Sequence, residues 1–69
     1  MQISARNQLR GTVKSVTLGA VMAEVVVTLP DGQEIVSAIT RTSAEALHLQ
    51  AGDHVVAIIK STEVMVGKE

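Results

Sequence analysis

The sequence contains no cysteine, no phenylalanine, no tryptophan and no tyrosine. The missing cysteines exclude disulfides and thiolate metal sites. The missing aromatics remove the platforms on which single-stranded nucleic acid stacks. No basic excess compensates, because six Lys and Arg face seven Asp and Glu, a formal net charge of −1. A protein that lives on phosphate backbones carries a basic stripe, so nucleic acid is set aside as a partner. No apolar run approaches the roughly 20 residues of a membrane span. Met1-Gln2-Ile3-Ser4-Ala5-Arg6 has no apolar stretch behind a basic start, so no export signal is read. The cytoplasm is the expected compartment.

What is present is short and aliphatic. Sixty-nine residues allow one domain, residues 1–69. A chain of this size buries only about 60% of its unfolded surface, and its own core is marginal. Without disulfides or a structural metal, oligomerisation is the remaining source of stability. Hydrophobic residues still make up 46% of the chain, mostly Val, Ala, Ile and Leu, so there is apolar surface to share.

The patterning predicts strands. Leu9–Leu18 reads as one with an irregular period, hence a bulge, and with Gly11 at a bend or close backbone approach. Gly19 is a turn. Met22–Leu29 alternates cleanly, with Ala23, Val25, Val27 and Leu29 on one face. Pro30-Asp31-Gly32 turns the chain into a hairpin partner over Glu34–Thr40. Thr42-Ser43-Ala44-Glu45 matches a capping box and predicts a short helix to about Leu47, with Thr42 as N-cap. Ala51-Gly52-Asp53 is a second turn, His54–Lys60 a fourth strand and Thr62–Val66 a fifth. Five strands with one short helix between the third and fourth describe an all-β, OB-like Greek-key barrel. An SH3-type barrel is the alternative. Val26, Val36, Val56 and Ile58 lie on the second face of these strands, and such a patch is expected to pack against another subunit.

Catalytic signatures are lacking. His48 and His54 flank turns without a nucleophile pattern. His48 reads as a solvated or interface side chain, and the role of His54 stays open. Asp31, Asp53 and Glu45 are accounted for by turns and the helix start. No Walker loop or dinucleotide fingerprint is present. Two donor clusters remain. Ser4-Ala5-Arg6-Asn7 near the start combines a hydroxyl, a guanidinium and an amide, and Lys60-Ser61 near the end sets an ammonium beside a hydroxyl. Arg6 can present two N–H groups to a tetrahedral oxyanion. Thr40 and Ser43 add hydroxyls, and the backbone N–H groups of Ala5 and Asn7 add neutral donors. On spacing alone, solvated charges and capping hydroxyls are the favoured reading of these residues, since single motifs match often by chance.

Ile3-Ser4-Ala5-Arg6-Asn7-Gln8-Leu9-Arg10-Gly11 and Ala57-Ile58-Ile59-Lys60-Ser61-Thr62-Glu63-Val64-Met65 decide between those readings. With Gly19-Ala20-Val21-Met22-Ala23-Glu24-Val25, Ala38-Ile39-Thr40 and Gly52-Asp53, the chain closely resembles the molbindins along its whole length. These are the small Mop-type molybdate-binding proteins of the TOBE/Mop domain family. The same module occurs in molybdate-responsive regulators and in molybdate transporter ATPase subunits. The resemblance implies an OB-like barrel assembled as a homohexamer, a trimer of dimers, that holds molybdate or tungstate at subunit interfaces. It implies no catalytic cofactor, no enzyme activity and no metal ligated by protein, since molybdenum is held as the intact oxyanion. By motif, one site comprises Ser4, Ala5, Arg6, Asn7, Thr40, Ser43, Lys60 and Ser61. A second is placed at Gly19, Ala20 and Val21, mainly as backbone donors. The alternative is a structural or regulatory oligomerisation module that binds sulfate, phosphate or no anion.

Overall fold

The computed structural model describes all 69 residues. Its spine is β1, Asn7–Leu18, which pairs antiparallel with two partners in succession. From Asn7 to Thr12 it faces β4 (His54–Ile59), and from Thr12 to Leu18 it faces β2 (Met22–Thr28). Thr12 is the handover residue, opposite both His54 and Thr28. The expected bulge falls between Val13 and Ser15, where Lys14 is the extra residue. It bends β1 and increases its twist. Just before it, a Cβ on Gly11 would stand 2.6 Å from Val27 Cγ1 and 2.7 Å from the Thr28 carbonyl oxygen. Only glycine lets the bent strand lie that close.

The hairpin of β2 and β3 (Glu34–Thr40) closes through Pro30–Gln33. There Leu29 N–H donates to Gln33 O at 2.7 Å, Gly32 N–H donates to Leu29 O at 2.9 Å, and Gly32 takes a φ of 92°. The sheet order is β3-β2-β1-β4. A meander whose fourth strand returns by a long connection beside the first is a Greek key. That connection carries α1, Arg41–Ala46, so one short helix between the third and fourth strands is found where the sequence placed it.

Two expectations are corrected. The helix cap is Thr40, not Thr42: Thr40 is extended and its hydroxyl accepts the Ser43 N–H at 3.1 Å. The β3 ladder runs through Thr40, paired with Met22, and Arg41 N–H donates to Val21 O at 2.8 Å. The helix therefore starts directly off the strand, and Glu45 meets Arg41 (Nε to Oε1, 3.5 Å) rather than a cap amide. The second correction is the fifth strand. Ser61–Glu63 is a single 3-10 turn, closed by Glu63 N–H donating to Lys60 O at 2.9 Å, and the residues after it lie free. Met65 is 94% and Val66 92% exposed. That turn carries the tail away from the sheet, and a strand without an adjacent edge has no ladder to join. The sheet thus has four strands, and β3 and β4 remain free edges.

Packing follows the alternation. Val13, Val25 and Val27 form the core, with Ala23 and Ala44 also buried and Val16, Ile39, Leu49 and Val55 half-buried against it. Five buried residues in 69 are few, and apolar surface stays open. A groove of about 410 Å³ between β3 and β4 is lined by Val25, Val27, Ile35, Ile39, Val55 and Ile59 among others. Val36 and Ile58, which also line it, are 61% and 49% exposed.

Candidate functional site

Strand register brings the two motif clusters together. Asn7 pairs with Ile59, so Arg6 and Lys60 leave the ends of neighbouring strands side by side, followed by Ser4 and Ser61. Gln8 Nε2 donates to Ala5 O at 2.7 Å and fixes the path of the Ser4–Arg6 segment. Ser4, Arg6, Lys60 and Ser61 are all exposed, while Ala5 and Asn7 are half-buried. The chain's two ion pairs join Lys14 to Glu34 and Arg41 to Glu45. Arg6 and Lys60 therefore keep their charge free of any carboxylate. Two cations beside two hydroxyls can meet a doubly charged oxyanion, the guanidinium through two parallel N–H groups.

Thr40 and Ser43 do not join that cluster within one chain. Thr40 lies opposite Met22 at the start of β2, beyond the Leu18 end of β1, whereas Ser4–Asn7 lie at its Asn7 end. Twelve residues of strand separate the two places by up to about 36 Å of path. The two hydroxyls bond each other, Thr40 Oγ1 donating to Ser43 Oγ at 2.7 Å. The eight-residue set read from the sequence is thus split between two ends of the molecule.

The second-site candidates lie at the helix end. Gly19 N–H is committed to Met22 O at 2.7 Å, so of the three residues only Ala20 and Val21 keep unpaired backbone donors. All three are exposed. Two of the three carbonyls, those of Gly19 and Val21, are held by a residue that sequence reasoning missed. Arg41 gives its backbone N–H to Val21 O and its Nη1–H to Gly19 O at 3.2 Å. No local pattern marks it, because the guanidinium bond spans 22 positions.

The histidines fall elsewhere. His48 ends α1 with a φ of 52°, its N–H on Glu45 O at 3.0 Å, and His54 opens β4 opposite Thr12. No three His, Cys, Asp or Glu side chains stand close enough to hold a metal ion.

The TOBE domain profile matches residues 3–66 of this chain. The chain belongs to the TOBE-domain family. This TOBE domain is 47% identical over 66 residues to molybdenum-pterin-binding protein 3 of Clostridium pasteurianum, covering 96% of the present chain and 97% of that protein. Among solved structures, it superposes on a molybdate-binding protein from Sporomusa ovata with a TM-score of 0.92 and 47% identity. That match covers 99% of this chain and 100% of the other. A second solved relative is ModG, described as a cytoplasmic molybdate-binding protein and solved with molybdate bound. Its TM-score is 0.84 at 46% identity, over 88% of this TOBE domain and 43% of ModG. The resemblance read from the sequence is therefore correct at the level of family.

Proposed function

We propose that the protein binds molybdate as the intact oxyanion and serves as a cytoplasmic store of it, with tungstate accepted by the same donors. The observation that carries this reading is the pair Arg6 and Lys60, brought together by register with Ser4 and Ser61 and free of carboxylates. Family membership and the molybdate-binding relatives give the ligand its name. Charge −2 on the ion matches the two cations, and the hydroxyls and the amides of Ala5 and Asn7 add directional neutral donors. Catalysis is not part of the reading, since the cluster contains no base beside a nucleophile.

The split site asks for more than one chain. In this reading Thr40 and Ser43 come to the Arg6–Lys60 cluster from a second copy, with the ion between subunits. Assembly also answers the free edges. The groove between β3 and β4 is one strand short, and Val64–Val66 is an apolar tail with no partner. A second copy that supplies its tail there pairs both edges and buries the groove. We assign the assembly as a homohexamer, a trimer of dimers, with the Gly19–Val21 turn as a second class of site. Binding only in the assembled form stabilises the oligomer by mass action.

The test is a titration of the purified protein with molybdate, with sulfate and phosphate as competitors and native mass recorded alongside. Saturable binding to a hexamer that excess sulfate does not displace supports the store. A hexamer indifferent to molybdate leaves a structural oligomerisation module, and a monomer that binds removes the intersubunit site.

A further inference from the structure

We infer that Gln8 is a positioning residue for the Arg6–Lys60 cluster, one that orders the Ser4–Arg6 segment before an ion arrives; the inference rests on the oxyanion reading above. Residues 1–6 precede β1, and of the chain's hydrogen bonds a single one reaches them, Gln8 Nε2 donating to Ala5 O at 2.7 Å. The segment that supplies Ser4 and Arg6 is thus tied down by one side chain. It also reverses direction. Continued straight, six residues of strand would carry Met1 about 20 Å beyond Asn7. Instead the chain bends at Ser4, and Met1 lines one cleft with Gln8, Arg10 and Val56 and another with His54 and Val55. The segment doubles back along β1, and the Gln8 bond closes the reversal. Packing does little of this, since Met1 is 78% and Ile3 40% exposed.

The bond also sets a direction. Across a planar trans peptide the carbonyl oxygen and the following N–H point to opposite sides. With Ala5 O drawn onto Gln8, the Ala5–Arg6 peptide plane is fixed and the Arg6 N–H is turned away from Gln8. A carbonyl left to rotate here could bring its negative end toward a bound dianion, whereas one engaged by Gln8 is kept occupied. Gln8 therefore acts in two ways, both through its neighbours. It restrains an acceptor beside the cluster, and it orders the backbone that carries the Ser4 hydroxyl and the Arg6 guanidinium. An ion that meets an ordered segment loses less conformational entropy on binding.

Gln8→Met in the full-length protein tests this, because it keeps the length of the side chain and removes the donor. Molybdate affinity by titration falls about threefold to tenfold, the range of one hydrogen bond. Thermal midpoint and native mass stay as in wild type, since Gln8 is exposed, whereas a merely structural residue would move those. Backbone relaxation by NMR reads the positioning itself. Without ligand, the order parameters of the Ala5 and Arg6 amides fall from about 0.85 in wild type to below about 0.6 in Gln8→Met, and saturating molybdate restores them. Gln8→Lys, which keeps a donor of similar reach, retains the order of both amides. Unchanged molybdate affinity in Gln8→Met, or amides as ordered in it as in wild type, overturns the inference and leaves molybdate binding standing. A wild-type protein that binds no molybdate removes the oxyanion reading and this inference together.

Discussion

The two ends of β1 solve opposite problems with similar residues. At the Asn7 end, Arg6 and Lys60 sit just beyond the paired ends of neighbouring strands, exposed and with no carboxylate partner, and Ser4 and Ser61 are close by in sequence. At the Leu18 end, Thr40, Ser43 and Arg41 are bound to one another, to Glu45 and to the Gly19–Val21 turn. The first end carries unpaired charge, and the second has shape already held in place. Selectivity for one oxyanion asks for both, because charge alone holds any dianion and preset geometry alone holds none tightly.

The sharpest way to break that contrast is Arg6→Ala. Removing a charged, two-pronged donor costs about 1.5–3 kcal/mol of binding, roughly a tenfold to hundredfold loss of molybdate affinity by titration. The thermal midpoint without ligand stays close to wild type, because Arg6 is exposed and makes no ion pair. Gly11→Ala tests what lies between the ends. Its Cβ meets Val27 and the Thr28 carbonyl inside 3 Å, so β1 must move away from β2, at a cost of about 1–3 kcal/mol in denaturant unfolding. Thr40→Ala attacks the self-bonded end and removes the cap, lowering stability by about 1 kcal/mol, while Thr40→Ser retains most of it. Equal stability of the alanine variant would mean that Arg41's bonds alone fix the helix start.

The smallest effect belongs to the hairpin turn, away from both ends. There the Gln33 side-chain amide, and then its backbone N–H, donate to the Asp31 carboxylate and hold its pKa below the ordinary carboxylate range. A depressed carboxylate adds stability that is present above its unfolded pKa and lost as pH falls through the folded one. Gln33→Ala raises the Asp31 pKa toward the ordinary value, readable by NMR titration. Oxyanion binding at neutral pH is unchanged, which makes this variant a control for the others.

How much of this was legible depended on how far each bond reaches. The alternation of Met22–Thr28, the bulge in β1 and the Pro30-Asp31-Gly32 turn are local, and the sequence reading of each agrees with the structure. The helix start was misplaced because two overlapping patterns compete. Thr42 to Glu45 fits a capping box, but Arg41 N–H to Val21 O, a contact across the fold, selects Thr40. Thr62–Val66 has a strand's composition, yet pairing needs an edge that its own chain does not bring to it. The positive φ of His48 had no signal, since glycine is the usual residue there. The Arg6–Lys60 meeting follows from strand register, whereas grouping them with Thr40 and Ser43 came from family resemblance and needs a second chain.

The bulge at Lys14 has a consequence for how this chain tolerates length changes. Before it, paired residue numbers on β1 and β2 add to one constant; after it, to a constant one larger. Lys14 is thus a one-residue gear offset between the Asn7 half of the strand and the Leu18 half. Deleting Lys14 leaves both registers in place, because Val27 and Val26 are already consecutive opposite Val13 and Ser15, and removes only the bend, whereas a deletion between Ser15 and Leu18 slides the β1–β2 turn one notch against α1 and takes the Gly19 carbonyl away from Arg41.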